Sequence, residues 1–197
     1  MVDCRLPKRP PCLWGRHRGP HSEVSAVSPA SDGAGPAVTV LGIGNVLLGD
    51  EGVGIHVIRY LRDCPESSAK LAIVDGGTLS FNLLPVIETA ASLIVIDAAM
   101  IGGEAGAVRC LVGDELDAFL GTSKHTAHEI GLKELFDMAR MEDLLPRRRA
   151  LVGVHPQNVD WGEGLSDRVA TAVPLAAGLV LRLARNWVCA DQLAALR

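Results

Sequence analysis

With 197 residues, 48% of them hydrophobic and 21% charged, the chain has the composition of one soluble globular domain with a single core. Its net charge of −4, from 19 basic and 23 acidic residues, argues against nucleic acid as a partner. Its five cysteines include no C-x-x-C pair, so we expect no disulfide framework, no zinc knuckle and a reducing, cytoplasmic location.

Residues 1–36 differ from the rest of the chain in composition. They hold six of the eleven prolines, with a basic first part and a Ser/Ala/Gly-rich run. Because such a segment buries little apolar surface, we predict a disordered Pro/Arg/Ser-rich tail over 1–36, a domain over 37–190 and a C-terminal tail over 191–197. We expect no secretory signal and no membrane insertion, since no apolar run fits either. A start codon assigned too far upstream would also explain the tail, whereas a twin-arginine signal would need an apolar stretch that is absent.

The remaining chain alternates between apolar, β-branched runs and runs with helical spacing. The runs typical of strands are 38–43, 71–74, 92–96, 107–112 and 150–154. The runs typical of helices are 52–63, 79–89, 114–120, 128–140 and 166–187, with Pro85 bending or splitting the second and Pro174 kinking the last. Strands this apolar are buried on both faces, so we predict an α/β fold. It is a single-domain three-layer sandwich with a mainly parallel, about five-stranded sheet and helices on both faces.

Polar side chains gather where the predicted strands end. Glu51 lies in the loop after the first strand, Asp97 closes the third, and His128 begins a later helix. Because open α/β sheets bind ligands at the carboxyl ends of their strands, these side chains can meet at one edge. Two carboxylates and an imidazole form a mixed donor set for a divalent metal such as nickel, zinc or copper. Without a cation the carboxylates would repel each other and share a proton.

Several of these polar residues also have a purely structural interpretation. Asp50 and Glu51 could cap the helix that follows them, because carboxylates favour helix N-termini. Asp75 precedes two glycines and is typical of a turn, with a place along the cleft as the alternative. His155 ends the fifth strand at the same edge and is a candidate neighbour of the site. The three arginines at 147–149 indicate a solvated surface.

The motifs at these strand ends occur in a characteristic order. The first reads Gly42-x-Gly44-Asn45-x-Leu47-x-x-Asp50-Glu51-Gly52-x-Gly54. It is followed by Asp75-Gly76-Gly77-Thr78, Ile94-Val95-Ile96-Asp97-Ala98, His128-Glu129-Ile130-Gly131-Leu132 and Leu151-Val152-Gly153-Val154-His155-Pro156. Together they resemble the hydrogenase maturation endopeptidases, a family that processes the large subunit of nickel–iron hydrogenases. The resemblance extends over residues 38–187.

The resemblance implies an endopeptidase that removes the C-terminal extension of a hydrogenase large-subunit precursor after nickel insertion. In that family the residues matching Glu51, Asp97 and His128 bind a metal, which the resemblance implies here, with nickel presented by the substrate. His125 could compete with His128, although His128 gives the better alignment. Water polarised by the metal or by a carboxylate, Asp50 or Asp97, could attack the peptide bond, and the sequence leaves this choice open.

Two other functions are compatible with parts of this sequence. A non-catalytic, nickel-sensing maturation chaperone on the same fold is the main alternative, because fold alone does not fix function. A nucleotide-binding enzyme has less support, since the glycines do not follow the G-x-G-x-x-G spacing. We expect the protein to act as a monomer and deletion of residues 1–36 to leave its activity unchanged.

Overall fold

The computed structural model describes residues 37–64, 71–78, 81–122 and 127–194, except for the side chains of 127–130. The predicted tail at 1–36, the loop histidine His125 and residues 195–197 lie outside this range.

Five strands form one sheet at the centre of the domain. They are β1 (Val38–Gly42), β2 (Leu71–Asp75), β3 (Ser92–Ala98), β4 (Val108–Val112) and β5 (Arg148–Val154). The strand order is β2-β1-β3-β5-β4, and all neighbours are parallel except β4, which runs antiparallel to β5. The predicted mainly parallel, five-stranded α/β sheet is therefore confirmed, with an antiparallel strand at one edge that the sequence did not distinguish.

Five helices in the described residues surround this sheet. They are α1 (Val53–Arg62), α2 (Leu84–Glu88), α3 (Asp114–Leu120), α4 (Ala127–Met141) and α5 (Asp167–Ala194). Two 3-10 turns, Gly49–Gly52 and Phe81–Leu83, precede α1 and α2. The predicted helix over 79–89 is split, as Pro85 allows, because α2 begins only after the second turn and holds the proline in its first turn. Helix α5 continues through Pro174 and ends at Ala194, beyond its predicted end at 187.

Alternating strand residues build two hydrophobic cores on opposite faces of the sheet. Ile94 and Ile96 of β3 join the core with α1 and α5, whereas Leu93 and Val95 join the core with α2, α3 and α4. The alternation follows from the two-residue period of a strand, and it requires apolar residues at every position. The three-layer arrangement predicted from the uniformly apolar strands is confirmed.

Helix α5 is the one helix in the described part of the chain that is long and apolar enough to cross a membrane. Its apolar face packs against α1, β1, β4 and β5, and 61% of its most apolar window is buried inside the domain. The length and apolar composition of α5 are therefore those of a core helix.

Of the arginines at 147–149, Arg147 is exposed as the sequence indicated, whereas Arg148 and Arg149 are partly buried. The Arg149 side chain is only 13% exposed and is bonded to Asp117 of α3. Arg148 donates to the carbonyl oxygen of Trp187 at 3.1 Å and to Asp191 at 2.5 Å, both on α5. These two arginines join the beginning of β5 to a helix on each face of the sheet.

Candidate active site

The carboxyl edge of the sheet is built by close backbone contact between β1, β3 and the start of α1. The backbone N–H of Ile43, which follows β1, donates to the carbonyl oxygen of Ile96 over 2.9 Å. Gly54 lies against the same carbonyl, and this contact leaves no room for a side chain. The 3-10 turn Gly49–Gly52 packs against β3 as a result, and this turn carries Asp50 and Glu51.

Asp97 occupies the end of β3, one of the central strands of this sheet. Its side chain is 1% exposed, and its Oδ1 accepts the backbone N–H of Ala98 at 2.8 Å. On the neighbouring strand β5, the residue in register with Asp97 is Gly153. A carboxyl group buried at the end of an apolar strand is costly unless its charge is stabilised, so this position is chemically unusual.

Glu51 is half-buried in the turn beside β3. The chain reaches this position because Gly44 has a φ of 148°, which side-chain-bearing residues rarely adopt. A Cβ atom at Gly44 would also lie 2.1 Å from the carbonyl oxygen of Glu51. The glycines of the first motif therefore set the position of the Glu51 backbone, in addition to shaping the loop.

His128 is the second residue of α4, and its side chain is outside the described part of the structure, as is all of His125. Within the described residues, no group of three His, Cys, Asp or Glu side chains could hold a metal ion. The predicted metal site needs His128 as its third member, so the complete ligand set of Glu51, Asp97 and His128 stays a prediction.

Asp50 has an environment different from that of its neighbour Glu51. It is fully buried, and its Oδ2 accepts the backbone N–H groups of Gln157 and Asn158, each at 2.9 Å. Ser166 donates its hydroxyl to Oδ2 at 2.9 Å and its backbone N–H to Oδ1 at 2.7 Å. Burial raises the pKa of Asp50, but the backbone bonds from Asn158, Ser166 and Gln157 and the Ser166 hydroxyl outweigh it, so the pKa lies below its usual value.

The bonds to Asp50 reveal a part of the edge that the sequence analysis missed, the segment from His155 to Ser166 between β5 and α5. No periodic pattern marks this segment. The only signal was a carboxylate in the first motif next to Glu51, since a buried carboxylate requires donors from elsewhere in the chain. His155, the candidate neighbour of the site, is half-buried there, and its Nδ1 has no hydrogen-bond partner among the described residues.

Asp75 behaves as a turn residue at the exposed end of β2. Its Oδ1 accepts the backbone N–H of Gly77 at 3.0 Å. The carbonyl oxygen of Gly77 in turn accepts the backbone N–H of Gly44 at 2.9 Å. Asp75 therefore shapes the loop that lies beside the first motif.

The fold and this edge define a single-domain α/β sandwich whose acidic residues collect at the carboxyl ends of β1 and β3. Comparison with known proteins assigns the class. Residues 55–183 match the family described as HycI: Hydrogenase maturation protease. Over 153 residues the chain is 34% identical to the hydrogenase expression/formation protein HupD of Rhizobium leguminosarum bv. viciae, covering 77% of this chain and 76% of that protein.

A second relative, the hydrogenase 2 maturation protease of Escherichia coli K12, is 30% identical over 149 residues, which are 76% of this chain and 91% of that protein. The structure of the hydrogenase maturating endopeptidase HybD from E. coli aligns with a TM-score of 0.68 at 28% identity, covering 76% of this chain and 92% of that one. The chain belongs to the hydrogenase maturation protease family. It is an endopeptidase that cleaves the C-terminus of a hydrogenase large subunit.

Proposed function

We propose that the chain performs this cleavage at a site formed by Glu51, Asp97 and His128, and that cleavage follows nickel insertion. The observation that carries the proposal is the buried Asp97 carboxyl group at the end of β3, next to the turn that carries Glu51. A bound cation would stabilise a negative charge in that position. His128 belongs to the first turn of α4, the helix that packs beside α2 and α3.

Nickel enters this proposal as part of the substrate. Two carboxylates and one imidazole are donors that tolerate nickel, so they fit an ion already held by the large-subunit precursor. Three protein donors leave coordination positions for groups of the precursor. Binding of the precursor would then depend on its metal, and cleavage would be limited to correctly loaded subunits.

The proposed chemistry is hydrolysis of one peptide bond. A metal ion bound at this site would supply Lewis-acid polarisation of the scissile carbonyl or of water. We assign Asp97 the role of general base: its carboxylate would take a proton from water as the water oxygen bonds to the scissile carbonyl carbon, and it would pass that proton to the leaving amine as the C–N bond breaks. Asp50, the other predicted carboxylate, is already bonded to four donor groups, which favours a different role.

The test is cleavage of purified precursor in its nickel-loaded and nickel-free forms, with the released C-terminal peptide measured by mass spectrometry. We expect release only from the loaded form, and more than about a hundred-fold slower release with Glu51→Gln or Asp97→Asn. Equal cleavage of both precursors would refute the nickel checkpoint. A Glu51→Gln protein that cleaves at the unaltered rate would refute the assigned site.

The matched control is Glu134→Gln, the same chemical change at an exposed position on α4. It should leave the cleavage rate unaltered. The non-catalytic chaperone, the main alternative from the sequence, would release no peptide in the same assay, whereas the protease releases peptide from the loaded precursor.

We also propose that the protein works as a monomer in the cytoplasm. Cys189 is a free thiol in the described part of the chain, which suits a reducing compartment. Light scattering after size exclusion should give the mass of one chain, 20.8 kDa. A mass of twice this value at micromolar concentration would contradict the monomer.

A further inference from the structure

We propose that Asp50 is a positioning residue, which fixes the segment His155–Ser166 against the turn that carries Glu51. This inference rests on the site proposed around Glu51 and Asp97. In this proposal Asp50 takes no direct part in peptide hydrolysis. Instead, it determines the shape of the carboxyl edge of the sheet.

The hydrogen bonds of Asp50 engage both oxygens of its buried carboxylate. Three backbone N–H groups and one hydroxyl are donated to its two oxygens, and the side chain is 0% exposed. A general base needs a free lone pair within hydrogen-bond distance of the attacking water. The donors to Asp50 are 107 to 116 residues away in sequence, so the carboxylate joins distant parts of the chain.

Backbone bonds continue the same connection on both sides of Asp50. The N–H of Asp50 donates to the carbonyl oxygen of Asn158 at 2.9 Å, and the N–H of Gly49 donates to that of Gly162 at 2.8 Å. The N–H of Gly162 returns to the carbonyl oxygen of Leu47 at 3.0 Å. The turn before α1 and the segment after β5 are therefore paired, and Asp50 supplies the side-chain part of that pairing.

The segment held by Asp50 presents apolar side chains at the edge where the substrate must bind. Trp161 is 81% exposed and Val159 is 50% exposed, and Leu47 on the facing turn is 45% exposed. Glu51 immediately follows Asp50 in the chain. The Asp50 carboxylate therefore fixes the position of the segment that carries Trp161 relative to Glu51. A change at Asp50 would therefore alter the site without removing any group that reacts.

An asparagine at position 50 cannot keep these bonds, although it has the same shape. If its oxygen faces Gln157 and Asn158, its NH2 group faces the backbone N–H of Ser166, and two donors oppose each other. In the other orientation the NH2 group faces three donors. Asp50→Asn should therefore release the segment while keeping the volume of the side chain.

The first measurement is amide hydrogen exchange of the free, full-length protein, which requires no substrate. With Asp50→Asn we expect the amides of Gln157, Asn158 and Ser166 to exchange at least about ten-fold faster, whereas the amides of β1 and β3 keep their protection. Asp160→Asn removes an exposed carboxylate from the same segment and serves as the control, with unaltered exchange at these amides. Fast exchange throughout the sheet would show a general structural role and would overturn the proposal.

The second measurement is processing of the nickel-loaded precursor by Asp50→Asn, Ser166→Ala and the double variant. Ser166→Ala removes one of the four donors, so it should slow processing several-fold, and it should have no further effect in the Asp50→Asn background. If Asp50→Asn does not fold, the exchange and processing of Ser166→Ala decide the question alone.

Two results would overturn the proposal. Loss of processing by Asp50→Asn with protected amides at 157, 158 and 166 would assign Asp50 to the chemistry itself. Unaltered processing with fast exchange at these amides would show that the segment is irrelevant to the reaction. Failure of the Glu51 and Asp97 site is distinguishable, because it leaves the exchange results intact.

Discussion

Arg149 at the start of β5 and Asp117 on α3 are joined by two parallel hydrogen bonds, from Nε to Oδ1 at 3.0 Å and from Nη2 to Oδ2 at 2.5 Å. The bonds from Arg149 hold the pKa of the Asp117 carboxyl below its usual value of 3.8, against a smaller opposing effect of burial. The same pairing raises the pKa of Arg149. This ion pair fastens α3 to the end of β5 opposite the site.

The ion pair predicts a specific dependence of stability on pH. Because the folded-state pKa of Asp117 is lowered, its contribution is complete well above pH 3.8 and is lost as pH falls through that value toward the folded-state pKa. Asp117→Asn should lower the free energy of unfolding by about 1–2 kcal/mol at pH 7, and this difference should shrink between about pH 5 and pH 3. Urea unfolding at several pH values measures it.

The control for this prediction is Asp137→Asn, which removes an exposed carboxylate bonded to Lys133 and Arg140. Exposed ion pairs contribute little to stability, so Asp137→Asn should lower the free energy of unfolding at pH 7 by less than about 1 kcal/mol. A difference for Asp117→Asn that is equal at pH 7 and pH 3 would show that the charge of Asp117 is not its source.

Substitution of Gly54 tests the close backbone contact that brings Glu51 to the edge of the sheet. A Cβ atom there would lie 2.1 Å from the carbonyl oxygen of Ile43 and 2.4 Å from that of Ile96. Both atoms belong to the backbone and cannot move aside. Gly54→Ala should therefore displace α1 and lower the free energy of unfolding by about 2 kcal/mol or more, despite the roughly 1 kcal/mol that alanine gains in a helix.

Gly162→Ala is the matched control, because a Cβ atom at Gly162 would have no neighbour within 4 Å. Its unfolding midpoint in urea should stay close to that of the unaltered protein. If Gly54→Ala is as stable as Gly162→Ala and processes precursor equally fast, the contact between α1 and β3 does not determine the site.

We predict that Trp161 contributes to substrate binding but little to the stability of the fold. Its side chain is 81% exposed on the segment next to Glu51, and exposed aromatic residues often dominate binding to a protein partner. Trp161→Ala should raise the KM for the loaded precursor by about ten-fold and leave the unfolding free energy within about 0.5 kcal/mol. Leu193→Ala removes another exposed apolar side chain, near the end of α5, and should leave KM unaltered. An unaltered KM for Trp161→Ala would exclude this residue from the substrate contact.

Substitution of His125 and His128 gives the last prediction. His128→Ala should slow precursor processing by more than about a hundred-fold if it binds the metal, whereas His125→Ala should have a small effect. Both variants should retain the circular dichroism spectrum of the unaltered protein. A large loss of precursor processing with His125→Ala alone would assign the metal-binding role to His125 instead of His128.

The sequence by itself determined the class of fold and the family. Uniformly apolar strands such as Ser92–Ala98 require cover on both faces, and a strand's side chains alternate regardless of what surrounds it. The position of Asp97 at the end of such a strand followed directly. The glycines of the first motif were also informative, because Gly44 and Gly54 allow backbone contacts that no other residue permits.

Only the tertiary structure decided which polar residues are engaged and by what. Asp50 and Glu51 are neighbours in one motif, yet the carboxylate of Asp50 is bonded to Gln157, Asn158 and Ser166, which are distant in sequence. Arg149, in a run of three arginines, is bonded to Asp117 on α3. Periodicity and motif spacing report contacts within a few residues along the chain, whereas these bonds join residues brought together by the order of the strands. The partner of a buried charge is therefore fixed by topology, which local sequence does not encode.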